Sequence, residues 1–169
     1  MVCCVVATVQ VLEKLAAVCS TSRAGLERVR GHAASAIINV CSPRFCVPEV
    51  LGDSAFIGKL LAGLVSVLRE CRPQEAQYAV SAVGCVAQVL GEGFVPFYGG
   101  FMPLAQGILA TQNGKEHRQL RANTMEAIAL VGIAVGAEKF AKDGVALMDA
   151  VLAMQEAGIA SDDPQAKYA

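Results

Sequence analysis

Residues 73–114 read PQEAQYAVSAVGCVAQVLGEGFVPFYGGFMPLAQGILATQNG, and this stretch decides the fold. Ala76, Val80, Val83, Ala87 and Leu90 recur at intervals of three and four residues, which places them on one face of a helix. Arg72-Pro73 opens that helix, because the missing N–H of proline is no loss in a first turn. Gly91 and Gly93 close it. A second helix is read from Phe97 to Ala110, entered through Val95-Pro96 and carrying Pro103, where a kink or a late start is expected. Asn113-Gly114 is a turn signal. Two helices joined by a short Gly/Pro link make a helical hairpin.

The same unit extends in both directions. Toward the amino terminus, Val5, Val9, Leu12 and Ala16 form one face of a helix over Val5 to Val18, broken by Ser20, Thr21 and Ser22. A run from Leu26 to Cys41 sets Val29, Ala33, Ala36, Ile37 and Val40 on a stripe and stops at Ser42-Pro43. After Cys46-Val47-Pro48, Phe56 to Leu68 is helical, with Leu60, Leu64 and Leu68 four apart. Toward the carboxyl terminus, Lys115 to Val135 turns Leu120, Thr124, Ala127, Ile128 and Val131 inward. A last helix runs from Glu138 to Gln155, ended by Gly158 and Ser161-Asp162-Asp163-Pro164. These are seven helices of roughly 14 to 20 residues, with almost no strand alternation.

Repetition says what the helices build. A shift of 46 residues lays Phe94 on Phe140 and Met102 on Met148, and the stripes beginning at Val29, Ala76 and Leu120 are 47 and 44 residues apart. Val47-Pro48 and Val95-Pro96 precede alternate helices at a spacing of 48. Two helices per period of about 40–47 residues is the mark of HEAT or armadillo repeats. The expected fold is therefore an all-α solenoid of antiparallel helix pairs, a single array over 1–169 with repeats at 3–43, 47–91 and 94–135 and a half repeat at 137–158. Apolar residues open the first helix, and Val145, Leu147, Met148, Val151 and Leu152 enrich the last, where polar capping repeats would be needed at a free end. The chain is expected to be an internal fragment of a longer array, or a truncated gene product.

Composition excludes several functions. The chain has 169 residues, 54% of them hydrophobic, which suits a packed core. Its 14 Lys and Arg against 15 Asp and Glu offer no basic excess for nucleic acid, and the absence of Trp removes stacking platforms. Seven cysteines, Cys3, Cys4, Cys19, Cys41, Cys46, Cys71 and Cys85, include no C-x-x-C pair and have only His32 and His117 for company. They read as free, buried thiols of a reducing compartment, cytosol or nucleus. No metal and no cofactor is expected, and neither histidine has a partner at catalytic spacing. Mean hydropathy is +0.48, but the longest charge-free stretch, Gly93 to Gly114, is interrupted by prolines, glycines, Gln106, Gln112 and Asn113, so no membrane insertion is read. Gly91-Glu92-Gly93 lacks the third glycine and the strand of a phosphate loop. The chain is read as no enzyme.

Gly93-Phe94-Val95-Pro96-Phe97-Tyr98, Phe101-Met102-Pro103-Leu104, Lys115-Glu116-His117-Arg118 and Leu130-Val131-Gly132-Ile133-Ala134-Val135-Gly136-Ala137-Glu138-Lys139-Phe140 resemble consecutive blocks of the karyopherin-β family, most closely its importin-five branch of nuclear import receptors. Arg28 to Asn39 resembles an inner helix two repeats earlier, and Asp162-Asp163-Pro164-Gln165 the acidic link that follows. The resemblance implies a receptor that carries cargo proteins with basic nuclear localisation signals on its concave surface. It also implies release under Ran-GTP control, nucleoporin contacts made by the full-length receptor, and shuttling between cytoplasm and nucleus. The alternative is a HEAT scaffold or regulatory subunit with no transport cycle.

In such a pair the second helix lines the concave side, so its polar stripe is where an extended segment would lie. Arg28, His32, Ser35 and Asn39 form one such stripe, Gln77, Ser81 and Gln88 a second, and Gln119, Asn123 and Glu126 a third. The candidate cargo-binding residues are Asn39, Glu126, Ser35, Asn123, Gln77 and Ser81. Amide side chains can hydrogen-bond a peptide backbone, and Glu126 can pair with a lysine. The stripes are poor in acid for a surface meant to hold basic cargo.

Overall fold

The structure is a computed structural model that describes residues 2–42, 48, 51, 54–112 and 114–159, with side chains from 7 to 153. Among the described residues are seven α-helices and no strand: α1 (Val2–Cys19), α2 (Glu27–Val40), α3 (Ser54–Glu70), α4 (Pro73–Leu90), α5 (Val95–Thr111), α6 (Arg118–Val135) and α7 (Ala137–Ile159). The expected stops at Pro43, Val47, Asn113 and 161–165 lie outside the described residues, as do the side chains of Cys3, Cys4 and Cys46.

The breakers act where their chemistry predicts. Arg72 is extended, at φ −69° and ψ 162°, as the residue before a proline is driven to be. α4 ends on Gly91 at φ +54° and α6 on Gly136 at φ +84°, backbone conformations that a side chain would strain. A 3-10 turn, Gly91–Phe94, leads into α5. The late start expected near Pro103 is not found. α5 begins at Val95 with Pro96 in its first turn and runs through Pro103 to Thr111. Pro103 leaves the carbonyl of Gly99 without its helical donor, and both residues are exposed, so water can serve it. α6 starts later than expected, because Lys115–His117 form a separate 3-10 turn.

Two layers result. α2, α4 and α6 stack on one another, with α4 in the middle. α1 packs on α2, α3 on α4 and α5 on α6, and α1 also rests on α3. Leu12, Ala16 and Cys19 of α1, Leu60, Leu64 and Val67 of α3, and Phe94, Phe101 and Met102 at and within α5 enter one continuous core. α4 buries Ala76, Ala79, Val80, Ala82, Val83, Val86, Ala87 and Val89, more than one face, since it has neighbours on three sides. By length and composition the helical stretch 73–111 is long and apolar enough to cross a membrane; its apolar side chains are largely spent on this core.

The stripe expected on α2 is displaced. Val29 is 49% exposed, and Arg30, Ala33, Ala34 and Ile37 are buried instead. At 100° per residue, a rotation of one position moves Val29 out of the core and Arg30 into it. The acceptors described below supply what that buried guanidinium needs.

Candidate protein-binding face

The layer of α2, α4 and α6 carries the polar stripes, and small residues let these helices approach. A Cβ added at Gly31 of α2 would lie 2.9 Å from Cγ of Glu75 on α4, and one at Gly84 of α4 would lie 3.1 Å from Cα of Ala127 on α6. Seven-residue spacing then aligns the exposed and half-buried positions: Arg28 with Ser35 and His32 with Asn39 on α2, Gln74, Ser81 and Gln88 on α4, and Gln119, Glu126 and Ile133 on α6.

Four of these polar residues meet across α4 and α6. Asn123 donates from Nδ2 to the carbonyl of Gln77 at 3.3 Å, and Gln119 donates from Nε2 to Oδ1 of Asn123 at 2.8 Å. The Ser81 hydroxyl donates to the same Gln77 carbonyl at 3.1 Å. Gln77, Ser81 and Asn123 are thus brought together on neighbouring helices. Asn39 and Ser35 keep to α2, where Asn39 Nδ2 donates to the Ser35 carbonyl at 3.3 Å. Glu126 is exposed and lies close enough to Cys85 that its charge, after burial as the larger cause, raises that thiol's pKa. The face offers amide and hydroxyl groups held within and between its helices, one exposed carboxylate, and exposed apolar side chains that include Tyr78 at 36% and Ile133 at 77% exposure.

Cys19, Cys71 and Cys85 are not activated as nucleophiles. Cys19 and Cys41 are buried, Cys71 and Cys85 half-buried, and none of the four is in a disulfide. Burial pushes Cys19 up to about 11, with Arg30 opposing, and burial also raises Cys71. Such thiols stay protonated at neutral pH and make poor nucleophiles. Among the described residues no three His, Cys, Asp or Glu side chains converge as a metal site. A recess of about 530 Å³ lies in the other layer, between α1 and α3, lined by Glu13, Ala16, Ala17, Ser20, Ala55, Phe56 and Lys59.

Residues that join one helix pair to the next escaped the sequence reading. Arg30, 3% exposed, donates from Nε to the Cys19 carbonyl at 3.0 Å, from Nη1 to Glu70 at 2.9 Å and from Nη2 to Ser66 at 2.7 Å. Between α5 and α7, the Tyr98 hydroxyl donates to Asp143 at 2.5 Å, Gln106 donates to the other oxygen of Asp143 at 2.9 Å, and the Lys139 ammonium sits 5.6 Å from the centre of the Tyr98 ring. Glu75 is buried, with one oxygen paired to Arg72 at 3.2 Å and the other without a hydrogen-bond partner. One signal was available for Arg30. It precedes Ala33, Ala34 and Ile37 by three, four and seven residues, a charged residue in apolar register.

A two-layered stack of helix pairs with polar side chains set along one layer defines an α-solenoid. The chain is 29% identical over 141 residues to importin subunit beta-3 of Saccharomyces cerevisiae, covering 83% of this chain and 12% of that protein. It is 31% identical over 113 residues to a probable importin-5 homolog of Dictyostelium discoideum, covering 67% of this chain and 10% of that one. The karyopherin Kap121p, solved bound to the SUMO protease Ulp1p, superposes with a TM-score of 0.78 at 25% identity over 89% of this chain and 14% of its own. The same karyopherin solved bound to Nup53p matches at 0.75 over 87% and 13%. No family model matches. The chain belongs to the karyopherin-β family and is a HEAT-type array. It spans about a tenth of the length of the curated relatives it matches.

Proposed function

We propose that this chain is a protein-binding segment of a nuclear import receptor, which takes basic cargo against the exposed side of α2, α4 and α6. Binding to Ran-GTP elsewhere in the receptor releases the cargo, and the receptor shuttles between cytoplasm and nucleus. The work is binding, without catalysis. The observation that carries this reading is the cross-helix arrangement of Gln119, Asn123, Gln77 and Ser81, in a fold shared with a karyopherin solved in complex with protein partners. An extended peptide presents backbone N–H and C=O groups at regular intervals, which fixed amide side chains can meet. In this scheme Asn39 and Ser35 serve the peptide at α2, Gln77, Ser81 and Asn123 serve it at α4 and α6, and Glu126 takes a lysine.

Fluorescence anisotropy of a labelled lysine-rich peptide tests it. Affinity should fall as salt rises, since exposed charges are screened. Glu126→Lys should weaken binding about tenfold at low salt, and Asn39→Ala should weaken it at low and high salt alike. A peptide that fails to bind, or binds all three proteins equally, would leave the chain as a scaffold without a cargo role.

A further inference from the structure

Three segments converge on the carboxylate of Glu70, at the C-terminal end of α3. Ser22, exposed in the loop between α1 and α2, donates its hydroxyl to Oε2 at 2.9 Å. Arg30 of α2 donates to the same oxygen at 2.9 Å, and Ser66 donates to Oε1 at 2.8 Å. The guanidinium is buried, whereas Glu70 is 42% exposed. Arg30 is therefore anchored from below by the Cys19 carbonyl, and Glu70 is the replaceable partner.

We propose that Ser22 is a phosphorylation site, and that phosphate there takes Arg30 from Glu70 and frees the end of α3 from α1 and α2. A protein kinase would transfer the γ-phosphoryl group of a nucleoside triphosphate to Ser22 Oγ. The bond to the departing nucleoside diphosphate breaks, and the hydroxyl proton passes to the kinase's base. Ser22 lies in a loop outside the helices, and Arg23 follows it, a basic side chain that an acidic kinase groove can hold. The product brings about 1.5 to 2 negative charges at pH 7 to a point already in hydrogen-bond contact with Glu70. One guanidinium then faces two anions, and the phosphate is the stronger partner.

The exchange has a structural consequence because the two anions belong to different helix pairs. Ser22 and Arg30 lie within the α1–α2 pair, so a phosphate–Arg30 link joins nothing across the boundary, whereas Glu70, beside the shorter bond from Arg30 to Ser66, ties that pair to α3. Glu70 also stands in the last turn of α3, where the helix dipole disfavours a negative charge. Its hydrogen bonds from Ser66, Arg30 and Ser22 offset that, and they hold its pKa below the ordinary value. Without Arg30, and beside a second anion, that turn frays.

The test uses the full chain with phosphoserine installed at position 22 during synthesis, read by amide hydrogen exchange. Exchange of the last turn of α3, residues 67–71, should speed up about tenfold on phosphorylation and by less than about twofold in a Glu70→Gln background, where the anion to be displaced is absent. Unchanged exchange, or an equal increase in the Glu70→Gln protein, overturns the proposal. Separately, a basophilic kinase with ATP should add phosphate to Ser22 of the folded chain, as seen by peptide mass. No incorporation, under conditions that fully modify a peptide of residues 18–26, overturns the site.

Discussion

Replacing Arg30 by alanine should unsettle the joint between the first two helix pairs more than any other single polar change. The side chain is 3% exposed and its Nε serves the Cys19 carbonyl at 3.0 Å, one of the acceptors that the end of α1 leaves without a helical donor. Stranding that buried carbonyl costs about 1–3 kcal/mol, and losing the packed stem of the arginine adds about 1 kcal/mol. Against this, removing a buried charge recovers some desolvation. The link to Glu70 is open to water and adds little. The balance is a loss of about 2 kcal/mol, or roughly 4–8 °C in melting temperature for a domain of this size. Urea unfolding followed by circular dichroism measures it, with Arg30→Lys expected to lose about half as much, since a lysine reaches one acceptor where the fork reaches three. Glu70→Gln should change stability far less than Arg30→Ala. Equal losses in those two variants would refute the reasoning, because the ion pair and not the buried carbonyl would then be the larger part of the joint.

Gly84→Ala should destabilise by about 1 kcal/mol or more, because the new methyl meets backbone of α6 at 3.1 Å and only separation of the helices relieves it. Gly107→Ala, with nothing within 4 Å, should stabilise by about 0.5–1 kcal/mol, so denaturant midpoints should move in opposite directions. Tyr98→Phe should cost about 1 kcal/mol through the lost hydrogen bond to Asp143. It should also alter the pH dependence of melting at both limbs. The Asp143 carboxyl is held low, first by the Tyr98 hydroxyl, so its contribution is present above the ordinary aspartate range and is lost as pH falls through the folded value. Tyr98 is pushed up, first by burial and then by Asp143, so its contribution is full below the ordinary tyrosine range and is lost as pH rises through the folded value. Cys19, raised to about 11 and buried, should resist Ellman's reagent in the native chain at pH 8 and react once urea unfolds it, as absorbance at 412 nm would show on the scale of thiol reactivity set by the thiolate fraction, ~0.1% for such a group.

The helices were legible because their signals are local. Apolar spacing of three and four residues, Pro73 at a helix start, and Gly91 and Gly136 at helix ends act within a turn or two of themselves, and the structure places the helices close to where those signals put them. The repeat period and the order of blocks resembling the karyopherins needed only the chain itself. Polar stripes were legible in the sequence, and seven-residue spacing aligns Arg28 with Ser35, His32 with Asn39, Ser81 with Gln88 and Gln119 with Glu126. That Asn123 reaches the Gln77 carbonyl while Asn39 stays on its own helix was not legible.

What only the tertiary structure decided are the contacts made one repeat away. Arg30 with Glu70, Tyr98 with Asp143 and Asn123 with Gln77 are separated by 40, 45 and 46 residues, and no local pattern marks a partner at that distance. Which edge of the apolar stripe on α2 turns inward was decided in the same way. Val29 and Arg30 differ by 100° around one helix, and the sequence favours the hydrophobe. The folded chain buries the arginine because a helix-end carbonyl, a serine and a carboxylate from two other helices converge there, and a buried charge is stable only where its hydrogen bonds are met.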